Sequence, residues 1–333
     1  MFIACLLFAN SLAVTAQEYN LTLASFAPAA HLENVHLLEP WAQRVEEATN
    51  GRVKVTLYAG ETLLKAVETY EGVVAGIADL GFSDYGYNMN SFPMLMTLFL
   101  GGLDYANGKV ATYVARDFIE KFQPAEIQDT ELMLVWCTDS GAIMSKTPVR
   151  TLDDFRGLQL KVSGKGVDII EALGGTPVAM PMSEAVEGLQ KGVIDGIASA
   201  PEILKGWNMT EVVDYVTPAS IVYNAIHYLA MNKDTWNSFP EDIQEAISKV
   251  NEEFFEEVAS EHFDKFNQEG LEYGIEHGDE VIELSEEELQ RWIDLLIPHQ
   301  QEYAQELNEK GLPGDEALQT TLDLIEKYNE EFK

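Results

Sequence analysis

The stretch from Thr151 to Trp207 constrains the fold more than any other part of the chain. Three runs short enough for strands, LQLKV, TPVAM and GIAS, alternate there with two segments of helical spacing, Val167 to Leu173 and Ser183 to Gly192. Strands that alternate with helices predict a parallel sheet with helices on its faces. Open α/β sheets bind ligands beyond the carboxyl ends of their strands. Lys161 stands at that end of the first run, and Ser163-Gly164-Lys165-Gly166 turns into the first helix. Free amides at a helix start favour anions, and Lys161 adds a full positive charge. The segment therefore predicts a pocket for a small anion, with no catalytic group in it.

The same alternation opens the chain. Asn20 to Ser25 reads as a strand, Glu33 to Thr49 as a helix ended by Asn50-Gly51, Arg52 to Tyr58 as a strand, Glu61 to Ala75 as a helix and Ile77 to Ser83 as a third strand. Lys109 to Phe122 is a further helix. The extended stretch Leu132 to Lys146 exceeds the usual ~5–6 residues of a strand, so it is expected to cross between two lobes. Tyr223 to Asn232 reads as a return strand. From Glu241 onward the pattern is helical: Ile243, Ile247, Val250, Phe254 and Val258 share one face of a helix expected to run to Asn267 and brace both lobes. Ser285 with Glu288 forms a capping box ahead of a helix whose buried face is expected at Ile293, Leu296 and Ile297.

Phe2 to Ala16 is uncharged and ends in small residues, which predicts a secretory signal peptide over 1–16 with cleavage before Gln17, although it lacks a basic start. The 317 residues that follow, 333 minus 16, exceed the ~250–300 at which one core divides. Two lobes are expected, lobe I over 17–138 and 224–250 and lobe II over 139–223, with 251–333 as helices bracing both. Cys5 leaves with the signal, and Cys137 in an apolar run reads as a buried small hydrophobe.

A net charge of −35 repels nucleic acid and anionic lipid, whose binding needs clustered Lys and Arg. GxSxG, GxxxxGK[ST], HExxH and a strand-to-helix GxGxxG are all missing from the sequence. His31 and His36, five apart, are poorly spaced for a metal. The expectation is a binding protein without enzymatic activity, cofactor or metal. Aromatic residues near predicted strand ends, Phe26, Phe82, Tyr85, Trp136, Trp207 and Tyr223, together with Met180 and Met182, are candidates for an apolar wall. Ser183 reads as a helix N-cap, Gly192 as that helix's end.

RGLQLKV followed by LGGTPVAMPMSEAVEGLQKGVIDGIAS closely resembles the signature of solute-binding proteins of tripartite ATP-independent periplasmic (TRAP) transporters. The likeness continues through WAQRVEEATNGRVKVTLYAGETLL and MNKDTWNSFPEDIQEAI, so it spans nearly the whole mature chain. The resemblance implies an α/β, two-lobed periplasmic binding protein fold with crossing strands and a long bracing helix. It further implies a periplasmic monomer that closes on a small carboxylate by a hinge motion and hands it to TRAP membrane permease subunits, with no insertion into the membrane itself. The family clamps the carboxylate with an Arg where this chain has Lys161. A second Arg seen in sialic-acid binders falls at about Gly141, a common Asn at Ser199, and a stacking phenyl ring at Met182. Asp84 lies where sugar-acid binders place an acid. The expected ligand-binding set is Lys161, Trp207, Tyr85, Asp84, Phe82, Met182, Ser199, Tyr223, Lys65 and His31. A Lys in place of Arg cannot make the bidentate fork of a guanidinium. A monocarboxylate with an apolar or aromatic part, with room for an amino group near Asp84, is therefore favoured over a C4-dicarboxylate or sugar acid. A sensor that presents the ligand to a receptor is the alternative to transport.

Overall fold

A computed structural model describes residues 19–138 and 141–332; the expected signal segment and Cys5 lie outside them. Eleven strands run in chain order: β1 (Tyr19–Ser25), β2 (Val53–Tyr58), β3 (Leu80–Asp84), β4 (Thr130–Cys137), β5 (Ala142–Ser145), β6 (Gln159–Val162), β7 (Thr176–Ala179), β8 (Gly196–Ser199), β9 (Tyr215–Pro218), β10 (Ile226–Asn232) and β11 (Glu280–Val281). They form two sheets, β2-β1-β3-β10-β4 and β11-β9-β5-β8-β6-β7, one for each lobe. Every residue of β3 and β10 is buried, as both faces of a central strand are when helices cover them.

Neither sheet is purely parallel, against the expectation. β10 runs antiparallel to β3 and β4, and β5 antiparallel to β8 and β9. These are the strands that cross. The chain leaves the first sheet by β4, enters the second by β5, and returns through β9 and β10, so the outgoing and returning strands oppose their neighbours. The stretch 132–146 thus splits between the two sheets.

Several boundaries differ from the expectation for local reasons. Glu33 to Thr49 becomes a π-helical turn, Asn34–Leu38, continued by an α-helix over Glu39–Ala48. Between Glu61 and Ala75 only Ala66–Val74 is helical. Gly60 and Glu61 take φ of 66° and 59°, and the Glu61 carboxylate accepts from the Ala66 amide at 2.9 Å instead of entering a helix. Ser183 caps nothing, because it sits inside the single turn Met182–Glu184 that leads into Ala185–Lys191. Gly192 ends that helix at φ 69°. Ser285 accepts from Glu288 N, but the other half of the capping box is absent: the Glu288 carboxylate accepts from Leu152 N and from the Trp292 indole. Ile297 is 46% exposed, and Trp292, Leu296, Tyr303 and Leu307 form that helix's buried face instead. Cys137 is buried, its thiol beside Ala111 O.

The brace is interrupted. Glu241–Phe254 passes through a π-helical turn, Phe255–Ala259, before a second helix, His262–His277. The first half meets lobe I, where the Trp41 indole donates to Asn251 Oδ1 at 2.8 Å. The second half meets lobe II so closely that Gly270 is needed: a Cβ there would stand 2.3 Å from Pro201 O and 2.6 Å from Glu202 Cα. Gly270→Ala is expected to lower stability by roughly 1–3 kcal/mol, the usual cost of overpacking. Urea unfolding with an unchanged midpoint would show that the helix is not seated this tightly. Asn267, one turn earlier, donates to Thr138 O and accepts from Glu202 N, tying the brace to the outgoing crossing and to lobe II.

Candidate functional site

The carboxyl ends of the strands from both sheets face each other across the cleft, and there they line a small cavity of about 20 Å³. Phe26 follows β1, Asp84 ends β3 and His227 belongs to β10; Lys161 lies in β6 and Ser199 ends β8. Thr138 and Tyr223 enter from the two crossings, Glu202 and Trp207 from either end of the helix Ile203–Gly206, and His31, Glu33, Tyr87 and Met182 from loops and turns.

Lys161 is 2% exposed. Burial pulls its ammonium down to about 8, against the opposing attraction of Asp84. Among the described residues it has no hydrogen-bond or ion-pair partner within the protein. Burial also raises the Asp84 carboxyl, outweighing His227, the Gly86 amide, Ser163 and Lys161, all of which favour its anion. The Tyr223 phenol, raised by burial, faces the hydroxyls of Ser199 and Thr138.

Glu33 organises the lobe I side. Its carboxylate receives the Trp136 indole at 2.9 Å and meets His227 Nδ1 at 2.6 Å and His31 Nδ1 at 3.6 Å. Burial alone would raise Glu33, but His227, His31 and Trp136 together hold it below the usual value. Burial would likewise lower both imidazoles; Glu202 and Glu33 raise His31, and Glu33, Asp84 and Glu202 raise His227. The apolar wall is a ladder of rings: Trp136 on Phe82 at 5.4 Å, Phe82 on Phe26 at 4.9 Å, and Phe26 nearly parallel to Trp207 at 6.3 Å.

The lobes are closed on each other. Gly164 N donates to Gly86 O at 3.0 Å, Ser163 Oγ to Asp84 Oδ2 at 3.0 Å, and Met182 N to the Tyr87 hydroxyl at 3.2 Å. These bonds correct the expectation of an amide nest after Lys161. Closure seats the turn on the loop that follows β3, which uses Gly164 N, while Gly166 N turns back to Ser163 O. Lys165 leaves the site too, pairing with Asp168 and lying over the Tyr303 ring.

Of the expected set, Lys161, Trp207, Asp84, Met182, Ser199, Tyr223 and His31 line the cavity. Three do not. Tyr85 leaves β3 on the core side and packs among Tyr70, Phe92 and Tyr228. Phe82, two residues before Asp84 on the same strand face, is one layer too deep and is covered by Phe26. Lys65 is exposed beyond the cleft. At Gly141 a Cβ would fall 2.8 Å from Tyr223 Cβ and O, so no second cation fits there beside Tyr223. Reading the sequence missed Glu33, Tyr87, Thr138, Glu202 and His227. Glu202, three residues beyond β8, could have been found from the strand-end rule. Glu33 and His227 stand 194 residues apart and carry no local signal.

Residues 23–306 match the model of the bacterial extracellular solute-binding protein family 7. The chain belongs to this family. The C4-dicarboxylate-binding periplasmic protein DctP of Rhodobacter capsulatus is 25% identical over 281 residues, 82% of this chain and 83% of that protein. A TRAP periplasmic solute-binding protein of Desulfovibrio salexigens, solved open with the C-terminus of a symmetry mate in its ligand site, is 32% identical, with a TM-score of 0.81 over 95% of this chain and 98% of that one. The fold is also that of a marine-metagenome TRAP protein specific for aromatic acids, solved with metahydroxyphenylacetate: 24% identity, TM-score 0.89, and coverage of 93% of this chain and 99% of that one. The TRAP solute-binding proteins are periplasmic receptors of transporters that perform no chemistry on their ligands, and this chain is one of them. No helix among the described residues is long and apolar enough to cross a membrane.

Proposed function

We propose that this solute-binding protein captures a small monocarboxylate bearing an apolar or aromatic part and delivers it to the membrane subunits of a TRAP transporter. The observation that carries the reading is the single ammonium of Lys161, 2% exposed and without a hydrogen-bond or ion-pair partner among the described residues, facing a cavity walled by Phe26, Trp207 and Met182. A buried ammonium without hydrogen-bond acceptors is costly, and a carboxylate entering the cleft supplies them. The room for a second cation at Gly141 is taken by Tyr223, which disfavours a dicarboxylate. Ligand closes the lobes because only the closed form presents both sides to it. The metagenome protein holds an aromatic acid, a ligand that agrees in kind with this reading.

Thermal-shift measurements across monocarboxylates, dicarboxylates and sugar acids test it, and stabilisation confined to dicarboxylates or sialic acid would overturn it. The acid that stabilises most is expected to bind the protonated ammonium. Its Kd should therefore be constant below the Lys161 value of about 8 and weaken about tenfold per pH unit above it. Calorimetry between about pH 7 and about pH 9.5 reads this directly; a flat profile would remove Lys161 from the carboxylate.

A further inference from the structure

We propose that the captured acid also carries a protonated amine, received by the carboxylate of Glu202, so that the ligand is an amino acid with an apolar or aromatic body. This rests on the reading of Lys161 as the carboxylate site and adds a second, opposite pole to it.

Three carboxylates line the cavity, and they are not equivalent. Glu33 is taken up by Trp136, His227 and His31. Asp84, where an amino group was expected, accepts from Gly86 N at 2.7 Å and Ser163 Oγ at 3.0 Å, and its work is to hold the lobes together. Glu202 is different. It is 5% exposed, and its Oε2 has no hydrogen-bond partner among the described residues. His31 Nε2 pairs with it ionically at 3.4 Å but without the alignment of a hydrogen bond, so neither buried atom has a hydrogen-bond partner among the described residues. Gly206 lets the carboxylate seat closely at this corner, since a Cβ there would stand 2.5 Å from Glu202 Oε2 and 3.0 Å from His31 Nε2. A buried acceptor left unmade costs about 1–3 kcal/mol, and more when charged, so an oxygen kept in this state points to a donor that arrives with the ligand.

Charge favours an amine as that donor. With both imidazoles protonated and all three carboxylates ionised, Lys161, His31 and His227 balance Asp84, Glu33 and Glu202. A simple acid then closes the cleft on one uncompensated negative charge, and a neutral imidazole makes two. A zwitterion adds none, and excess charge is what a dry site tolerates least. A hydroxyl could bridge Glu202 and His31, donating to one and accepting from the other, but it leaves the excess charge in place.

Matched triplets discriminate these cases on the wild-type protein. Phenylalanine, 3-phenyllactate and 3-phenylpropanoate form one set; leucine, 2-hydroxy-4-methylpentanoate and 4-methylpentanoate another; and 3-(aminomethyl)benzoate, 3-(hydroxymethyl)benzoate and 3-methylbenzoate a third, with both enantiomers where they exist. Thermal shift followed by calorimetry is expected to show an amino member binding at least about tenfold more tightly than its hydroxyl and unsubstituted partners, the size of one charge-assisted contact. A hydroxyl or unsubstituted acid that binds as well or better overturns the amine while leaving the monocarboxylate reading intact. No stabilisation by any member of any triplet overturns both. Glu202→Gln keeps the size of the side chain and removes its charge. It should weaken the amino member by about tenfold or more and leave the unsubstituted acid unchanged or tighter. Equal loss for both members would make Glu202 a structural residue, which also overturns the amine.

Discussion

Lys161→Met is expected to weaken capture of the acid strongly without destabilising the empty protein. Truncating one partner of a buried charged pair costs roughly 2–5 kcal/mol of binding, so Kd is expected to rise about 30-fold or more. Stability moves the other way. A lysine whose folded value falls from 10.5 to about 8 opposes folding below that value by roughly 3 kcal/mol, and the penalty fades as pH rises toward the unfolded value. Methionine fills a similar volume with no charge to desolvate. Asp84 loses an attraction in exchange, but Gly86 and Ser163 still hold it. The unliganded variant should therefore unfold at or above the wild-type temperature, while calorimetry with the wild-type ligand shows little heat. An unchanged Kd would take Lys161 out of the clamp, and a large drop in Tm would show that it is part of the folding core.

Glu33→Ala is the substitution expected to cost most in stability. It strands the Trp136 indole and leaves two buried imidazoles with less negative charge beside them. Breaking a buried pair from one side costs about 3–5 kcal/mol. The loss is pH-dependent in a stated sense. Glu33, depressed in the folded state, contributes stability above its unfolded value, which is lost as pH falls through the folded one. His227 and His31, both raised, contribute stability that is complete below 6.5 and is lost as pH rises through their folded values. The gap between wild type and Glu33→Ala in urea unfolding should thus be wider at about pH 6 than at about pH 9. A gap independent of pH would mean that packing, and not charge, is what Glu33 supplies. Glu33→Gln, which can still accept from Trp136, should fall between the two.

Much of the site was legible because strand ends are. The positions of Lys161, Ser199 and Asp84 follow from short apolar runs bounded by turns, and open α/β sheets gather such ends on one side. The errors share a physical cause. Phe82 and Asp84 differ by one period of the strand, and only the depth of the cavity decides which of them is lined and which is covered. Tyr85 follows the last residue of β3, where the chain turns and alternation ends. Lys65 is adjacent in sequence to the cleft's helices but lies outside them. The anion-binding turn after Lys161 has the composition of a nest, yet its Gly164 amide is used by Gly86, 78 residues earlier, and a contact of that range leaves no trace in the local pattern.

By itself, the sequence determined the alternation of strands and helices, the two lobes, the family and the one cation at the end of β6, since each is set by periodicity, length or short motifs that act within a few residues. Tertiary structure alone decided that β5 and β10 run against their neighbours, that Glu33 holds His227 and His31, and that Glu202 Oε2 is left without a hydrogen bond beside His31. Those outcomes depend on which distant side chains meet when two sheets close face to face, and on the electrostatics of a space that exists only after they have closed.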